Sequence, residues 1–144
     1  MPDKLSLFNK NTLNRYLRPC ESSDEMTLRE VYEDAIRTCD KSLYSKEQIE
    51  AWTALAYLPG ILDKPLKDGV GWVSCVNNTI EAFALRYPNN RLALLYCRGR
   101  SSRQGHATAL LHQIEADTLK ERPINLETEA SLCSYKLLLN NEQN

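Results

Sequence analysis

A segment that contains arginines and glycines, Arg98–Ala107, joins an apolar run to a pattern of helical spacing. The first amides of a helix have no partner within the helix and carry the positive end of its dipole, so a phosphate or pyrophosphate gains several hydrogen bonds there. Gly105 permits close approach of the backbone, and Arg100 and Arg103 can add charge-assisted contacts. The segment therefore predicts an anion-binding loop, with a solvated basic loop as the alternative.

The spacing does not fit the other common phosphate loops. The sequence has no Gly-Lys-Ser or Gly-Lys-Thr and no Gly-x-Gly-x-x-Gly, so nucleotide hydrolysis and dinucleotide binding are disfavoured. His106 and His112 lie too far apart on a helix to chelate one ion, and we predict no metal site. Cys97 is interpreted as a buried strand residue, because nothing beside it in sequence would activate a thiolate.

Two carboxylates follow later in the chain. Glu127 and Glu129 share one face of a predicted strand and could include a general base. Two carboxylates on a strand face more often point to solvent, and both interpretations stay open.

Three main helices position these residues. Ser22 and Glu25 predict a capping box, and helical spacing follows at Leu28, Val31, Tyr32, Ala35, Ile36 and Cys39. A second capping box, Ser45 with Gln48, opens a shorter helix that ends before Pro59-Gly60. The helix after the loop carries apolar residues at Ala107, Leu110, Leu111 and Ile114 and stops before Pro123.

The remaining segments predict a sheet. Trp72–Val76 and Ile80–Leu85 flank Asn77-Asn78 as a hairpin, and Leu92–Cys97 is apolar without alternation, as a central strand covered on both faces should be. A short strand near Tyr16, a strand at Ile124–Ala130 and a last helix at Cys133–Leu139 complete the list. The order strand, two helices, three strands, helix, strand, helix predicts an α/β (α+β) fold with helices on a central sheet.

Composition narrows the class of protein. A chain of 144 residues is expected to form one domain over residues 1–144, with an N-terminal extension at 1–14 and a polar tail at 140–144. Its 18 Lys plus Arg against 19 Asp plus Glu argue against strong binding to nucleic acid or to an anionic membrane. Five cysteines without a Cys-x-x-Cys, and no long apolar run, predict a soluble cytoplasmic protein with reduced thiols.

The loop sequence Ser102-Arg103-Gln104-Gly105-His106-Ala107 resembles the hallmark of the GNAT N-acetyltransferases, which is Gln or Arg, two residues, Gly, one residue, then Gly or Ala. Gly105 and Ala107 match, whereas Ser102 stands at the place of the leading Gln or Arg. The segments Tyr44–Trp52 and Thr128–Ser131 also look like a bacterial subgroup of these enzymes and occur in the same order.

This resemblance implies an acetyl-coenzyme A-binding domain with a central mixed sheet and helices on both faces. The pyrophosphate would lie on Arg103, Gln104, Gly105, His106 and Ala107, mostly through backbone amides. Backbone groups of Leu95 and Cys97 would pair with the pantetheine arm. Tyr44 and Trp52 would line the acceptor pocket, unless they pack in the core.

The resemblance also implies direct attack of a primary amine on the acetyl thioester, with an acid that protonates the departing thiolate. In the family this acid is commonly a Tyr after the Thr128–Ser131 segment, but the aligned residue here is Leu138, and Tyr135 lies one helical turn earlier. Glu129 is a candidate base. The acceptor amine is not identified by any residue pattern.

Family members continue through a final pair of strands that we expect this chain to lack, since it ends at Asn144. The open edge at Ile124–Ala130 would then be covered by Lys4–Asn11 or by a second subunit in a homodimer. Leu138 and the missing hairpin motivate an alternative function, a catalytically degenerate coenzyme A-binding or protein-interaction module of the same fold.

Overall fold

The computed structural model describes residues 14–39 and 41–121, together with the backbone of 127–128. The strands are β1 Arg15–Pro19, β2 Val70–Val76, β3 Thr79–Arg86, β4 Arg91–Cys97 and β5 Glu127–Thr128. The helices are α1 Glu25–Arg37, α2 Lys46–Ala54, α3 Asp63–Asp68 and α4 His106–Glu121. Single 3-10 turns lie at Ser22–Asp24, Leu55–Tyr57 and Gly99–Ser101.

The strands form one mixed sheet in the order β1-β2-β3-β4-β5. The first four strands are antiparallel neighbours, and β4 pairs with β5 in parallel through Arg91 opposite Glu127 and Leu92 opposite Thr128. Asn77 and Asn78 both adopt positive φ, 51° and 71°, in the two-residue turn between β2 and β3. Asparagine tolerates this conformation, which matches the twist of a hairpin, and the predicted β2–β3 hairpin is confirmed.

Apolar side chains cover both faces of the sheet. On one face Leu28, Val31, Tyr32 and Ile36 of α1 pack against Val73, Phe83 and Leu85. On the other face Leu110 and Ile114 of α4 pack against Ala82, Ala84, Leu92 and Leu95. The strand β4 contributes to both layers, as its unbroken apolar run predicts, and the expected α/β fold with a mixed sheet and helices on both faces is confirmed.

The predicted start of α1 is wrong in its capping residues. The capping box is formed by Glu21 and Asp24, not by Ser22 and Glu25, because a 3-10 turn precedes the helix. The Asp24 carboxylate accepts a 2.8 Å hydrogen bond from the Glu21 amide and two from Arg18 of β1, which hold its pKa below the usual range. The carboxylate that serves as the cap is thus the one that Arg18 of β1, six residues earlier in the chain, also bonds.

The start of α2 is as predicted. The Gln48 amide donates to Ser45 Oγ at 3.1 Å, and the Ser45 amide donates to Gln48 Oε1 at 2.8 Å. The helix α3 was not predicted, since its six residues Asp63–Asp68 are too short to show a periodic pattern.

Several predictions fall on residues outside the described ranges. These are the rest of the strand Ile124–Ala130, the helix Cys133–Leu139, and the covering of the sheet edge by Lys4–Asn11 or a second subunit. Across residues 14–39 and 41–121, none of the helices combines the length and apolar character needed to cross a membrane. The same ranges bring together no group of three or more His, Cys, Asp or Glu suited to a metal ion.

Candidate phosphate-binding site

The loop between β4 and α4 is bent by two residues with positive φ, Arg103 at 62° and Gly105 at 88°. A non-glycine residue rarely adopts this conformation, whereas Gly105 does so without strain. The Gly105 carbonyl accepts the first intrahelical hydrogen bond, from the Ala109 amide at 3.0 Å. The amides of His106 and Ala107 therefore precede the helical ladder, at the positive end of the α4 dipole.

The base of the loop is fixed by Glu81 of β3, which is 4% exposed. Its carboxylate accepts hydrogen bonds from Arg100 Nε at 3.0 Å, from Arg100 Nη2 at 2.6 Å and from Ser101 Oγ. Burial acts to raise the pKa of Glu81, but the bonds from Arg100 and Ser101 outweigh it and hold the pKa below its usual value. The guanidinium of Arg100 is thus engaged in holding the loop, and the expectation that it serves as a phosphate contact is not supported.

Two more contacts tie the loop to neighbouring elements. The Gly99 amide donates to Asp34 Oδ2 of α1 at 2.8 Å, and Arg98 Nε donates to the Ile80 carbonyl at 2.9 Å. The loop is therefore anchored at its start, while Arg103 and Gln104 near its end are exposed.

Sequence reasoning missed Arg15 of β1. Its guanidinium donates from Nη1 to the Gln104 carbonyl, and Nη1 lies 3.2 Å from the position that a Cβ on Gly105 would occupy. A cation from the first strand thus reaches the start of α4, 89 residues later in the chain. No local pattern could have signalled this, because the pairing of β1 with β2 that brings it there is long-range.

The His106 side chain points into the protein, with 2% of its surface exposed. Its Nδ1 lies 2.7 Å from Ser74 Oγ, and within the part of the chain that the structure describes its Nε2 has no hydrogen-bond partner. Burial first, and then the charge of Arg15, lower the pKa of this imidazole. The ring is neutral near pH 7 and brings no charge to an anion, so the predicted contact rests on the backbone amide of His106.

In β4, the strand that leads into the loop, the backbone N–H and C=O groups of Leu95 and Cys97 point toward the β5 side. The Arg98 amide donates to the Glu81 carbonyl at 2.8 Å, which marks these residues as a hydrogen-bonded pair. Because such pairs alternate in an antiparallel ladder, Leu95 and Cys97 occupy the intervening positions, and their backbone groups point away from β3. Burial raises the pKa of the Cys97 thiol to about 12, as expected for a structural cysteine.

An aromatic cluster lies on the α1–α2 face beside the end of β4. The ring centroids of Tyr44 and Trp52 are 5.0 Å apart, and Tyr96 of β4 contacts Trp52 at 6.5 Å and Tyr32 at 4.8 Å. All three of Tyr44, Trp52 and Tyr96 pack on the core while staying partly exposed. The two predicted acceptor-pocket residues are thus brought together with a third aromatic residue, Tyr96, that the sequence did not single out.

The predicted catalytic residues are not among those described. Glu129, Tyr135 and Leu138 lie outside the described ranges, and Glu127 is placed only through its backbone pairing with Arg91. The described part of the site consists of the phosphate loop, the end of β4 and the aromatic cluster.

Neither a family model nor a curated protein matches the chain. Solved structures do match: a GCN5-related N-acetyltransferase from Rhodopseudomonas palustris has a TM-score of 0.80 at 19% identity, over 88% of this chain and 79% of that one. The PaiA N-acetyltransferase from Thermoplasma acidophilum, solved in complex with coenzyme A, has a TM-score of 0.73 at 19% identity, over 92% and 89%.

A protein from Clostridium acetobutylicum described as a predicted acetyltransferase, solved with acetyl-CoA, also matches, with a TM-score of 0.55 at 19% identity over 88% of this chain and 87% of that one. Sequence identities this low establish a common fold and nothing finer. The resemblance carried by the loop is confirmed at that level, and the chain has the fold of the GNAT N-acetyltransferases.

Proposed function

We propose that this protein is an acetyl-CoA-dependent N-acetyltransferase that acts on a primary amine. The observation that carries the proposal is the junction of β4 with α4, where Gly105 at φ 88° opens the start of a 16-residue helix. The leading amides at His106 and Ala107 and the nearby guanidinium of Arg15 are the donor types that a pyrophosphate requires. The GNAT fold of the chain supports the same ligand.

The geometry of β4 supports an extended ligand next to the loop. The backbone groups of Leu95 and Cys97 face the β5 side, where a pantetheine arm could pair with them as an extra strand would. The aromatic residues Tyr44, Trp52 and Tyr96 lie on the α1–α2 side of the same strand end, in a position suited to the acceptor.

The described residues favour direct transfer over an acyl-enzyme. Burial raises the pKa of Cys97 to about 12, so its thiol is not a nucleophile at neutral pH. His106 is buried and bonded to Ser74, and this pair holds the helix start rather than taking a proton from an amine. The chain's contribution is then to bind and orient the two substrates, which can supply much of the rate enhancement.

A second candidate is a coenzyme A-binding protein without transferase activity. Asp34 and Glu81, the carboxylates that contact the loop, are both engaged in holding it. Neither carboxylate is then free to act as a general base, which is what this second candidate requires.

Calorimetric titration with acetyl-CoA, followed by thiol release with a panel of primary amines, tests the proposal. We expect binding and amine-dependent release. Binding without release across the panel would favour the second candidate, and no binding would overturn both.

A matched pair of glycine variants tests the cradle itself. Gly105→Trp is expected to abolish binding, because its side chain would occupy the space beside Arg15. Gly60→Trp is the control, since Gly60 has the same φ of 88° and no atom within 4 Å of an added Cβ. Equal loss of binding in both variants would show that backbone strain, not the cradle, is responsible.

A further inference from the structure

Resting on the proposed function, we infer that Arg15 of β1 is a pyrophosphate-binding residue of the coenzyme A site. It supplies from the first strand the side chain that the loop lacks at Ser102. The guanidinium donates one hydrogen bond to the Gln104 carbonyl and lies beside Gly105. A guanidinium carries five N–H donors in a planar fork, so donors remain for a second acceptor, and phosphate oxygens fit this fork.

The positive charges at the start of α4 favour the binding of an anion. The α4 dipole places partial positive charge at the helix start, and a cation is disfavoured there unless a negative group sits between them. Arg15 nevertheless lies there, close enough to His106 for its charge to lower the pKa of that imidazole. A bound phosphate would balance both the helix end and the guanidinium.

A second, independent feature of the same place is the orphaned His106 Nε2. The imidazole is 98% buried beside Arg15, its Nδ1 is taken by Ser74, and Nε2 has no partner among the described residues. Buried polar atoms are normally bonded, so this nitrogen is open to a further hydrogen bond at the start of α4.

The loop's own arginines are less available than Arg15. Arg100 is held by two hydrogen bonds to Glu81, and Arg98 donates to the Ile80 carbonyl and lies 3.9 Å from Glu30. Arg103 is exposed and lies at the positive-φ turn. Arg15 is therefore the cation that is both anchored at the helix start and not committed to a carboxylate in the described contacts.

The test compares Arg15→Gln with the wild type by calorimetric titration with coenzyme A. The loss of one charge-assisted contact is expected to raise Kd about tenfold or more. Lys67→Gln is the matched control, because it removes one positive charge from an exposed position on α3 and should leave Kd unchanged. An unchanged Kd for Arg15→Gln, with the wild type binding normally, would overturn the inference and leave the proposed function standing.

Two further measurements separate a direct contact from a structural effect. The difference in Kd between wild type and Arg15→Gln should shrink as salt is raised, since a charge contact with phosphate is screened; a difference that salt does not alter would count against the inference. With dephospho-coenzyme A, which lacks the 3′-phosphate, the same fold-change is expected. Loss of the effect with that ligand would overturn the assignment to the pyrophosphate.

Arg15→Lys is a second test variant, which keeps the inference testable if Arg15→Gln does not fold. It keeps the charge and the aliphatic stem, and it is expected to bind at least three times more tightly than Arg15→Gln. Because Arg15 is only partly buried and lies on the outermost strand of the described sheet, thermal unfolding of all variants without ligand should stay near the wild type. If Arg15→Gln does not fold, Arg15→Lys takes its place: a Kd above that of the wild type is expected, because Lys lacks the guanidinium fork, and an unchanged Kd would refute a role for the fork.

Discussion

The two ends of α4 each meet an arginine from the sheet, and they use it in opposite ways. At the C-terminal end, Arg86 of β3 is 4% exposed and donates to Thr118 Oγ1 at 2.8 Å and to Glu121 Oε2 at 2.5 Å. At the N-terminal end, the guanidinium of Arg15 has a single hydrogen bond within the described residues, to the Gln104 carbonyl. A cation is favoured at a helix C-terminus and disfavoured at an N-terminus.

We infer from this difference that the C-terminal end of α4 stabilises the fold and that the N-terminal end binds a ligand. At the C-terminal end Arg86 is paired with the Glu121 carboxylate and lies at the negative end of the helix dipole, although its Nε has no partner among the described residues and a cavity of about 350 Å³ opens beside it. At the N-terminal end the helix dipole and Arg15 are both positive, and His106 Nε2 has no partner in the part of the chain that the structure describes. Changes at the first end should therefore act on stability, and changes at the second on ligand affinity.

The largest effect on stability is expected for Arg86→Ala. It removes two hydrogen bonds and the packing of a buried side chain, which together should lower the free energy of unfolding by about 3 kcal/mol. Urea denaturation measures this loss, and the Kd for coenzyme A should not change. A loss below about 1 kcal/mol, or a weakened Kd in the folded variant, would remove the distinction between the two ends.

Glu81→Gln should lower stability by about 2 kcal/mol and should also weaken coenzyme A binding. The substitution removes the charge that holds Arg100 and Ser101 and so loosens the start of the loop. Urea denaturation measures the change in the free energy of unfolding, and titration of the same preparation with coenzyme A measures the change in Kd. If affinity is unchanged while stability falls, the loop does not need this anchor to bind its ligand.

Much of the fold follows from sequence because its signals are local. The Ser45–Gln48 capping box, the Asn77-Asn78 turn and the apolar run of β4 each identify an element without knowledge of its neighbours. The candidate site could be predicted from the sequence only in part. Gly105 and the helix start were predicted, but Arg15 and Glu81 come from other strands, and only the register of the sheet brings them to the loop.

The error at α1 has a more local cause, a strand residue that the capping pattern does not include. Both Asp24 and Glu25 can cap a helix, and the choice depends on Arg18 of β1, which bonds Asp24. Arg100 is a second case. Its position in the loop predicts a phosphate contact, but its guanidinium instead bonds the buried carboxylate of Glu81 on β3.

The buried His106 should make stability depend on pH at the N-terminal end of α4. Because its pKa is lower in the folded protein than the unfolded value near 6.5, the unfolded state binds the proton more readily below that pH. This contribution is fully present above pH 6.5 and is lost as the pH falls from there through the folded-state pKa. Thermal or urea unfolding between pH 7.5 and about pH 5 measures it.

His106→Asn is the variant that isolates this effect, since an amide can still bond Ser74 and does not titrate. Its stability should vary less over that range than the wild type's. Glu81 interferes little, because its lowered pKa removes stability only as the pH falls below about 4.5. Parallel curves for the two proteins would mean that His106 does not carry the pH dependence.

The smallest effect is expected for Glu121→Gln, at the C-terminal end of α4. Glu121 is the carboxylate partner of Arg86, as Glu81 is of Arg100, but its side chain is 56% exposed, whereas that of Glu81 is 5% exposed. Water therefore already solvates Glu121, and its neutralisation should cost less than about 1 kcal/mol in urea denaturation. Since Arg86 keeps its bond to Thr118, the cluster should persist. A loss as large as that of Glu81→Gln would mean that burial of the carboxylate does not set the strength of these two pairs.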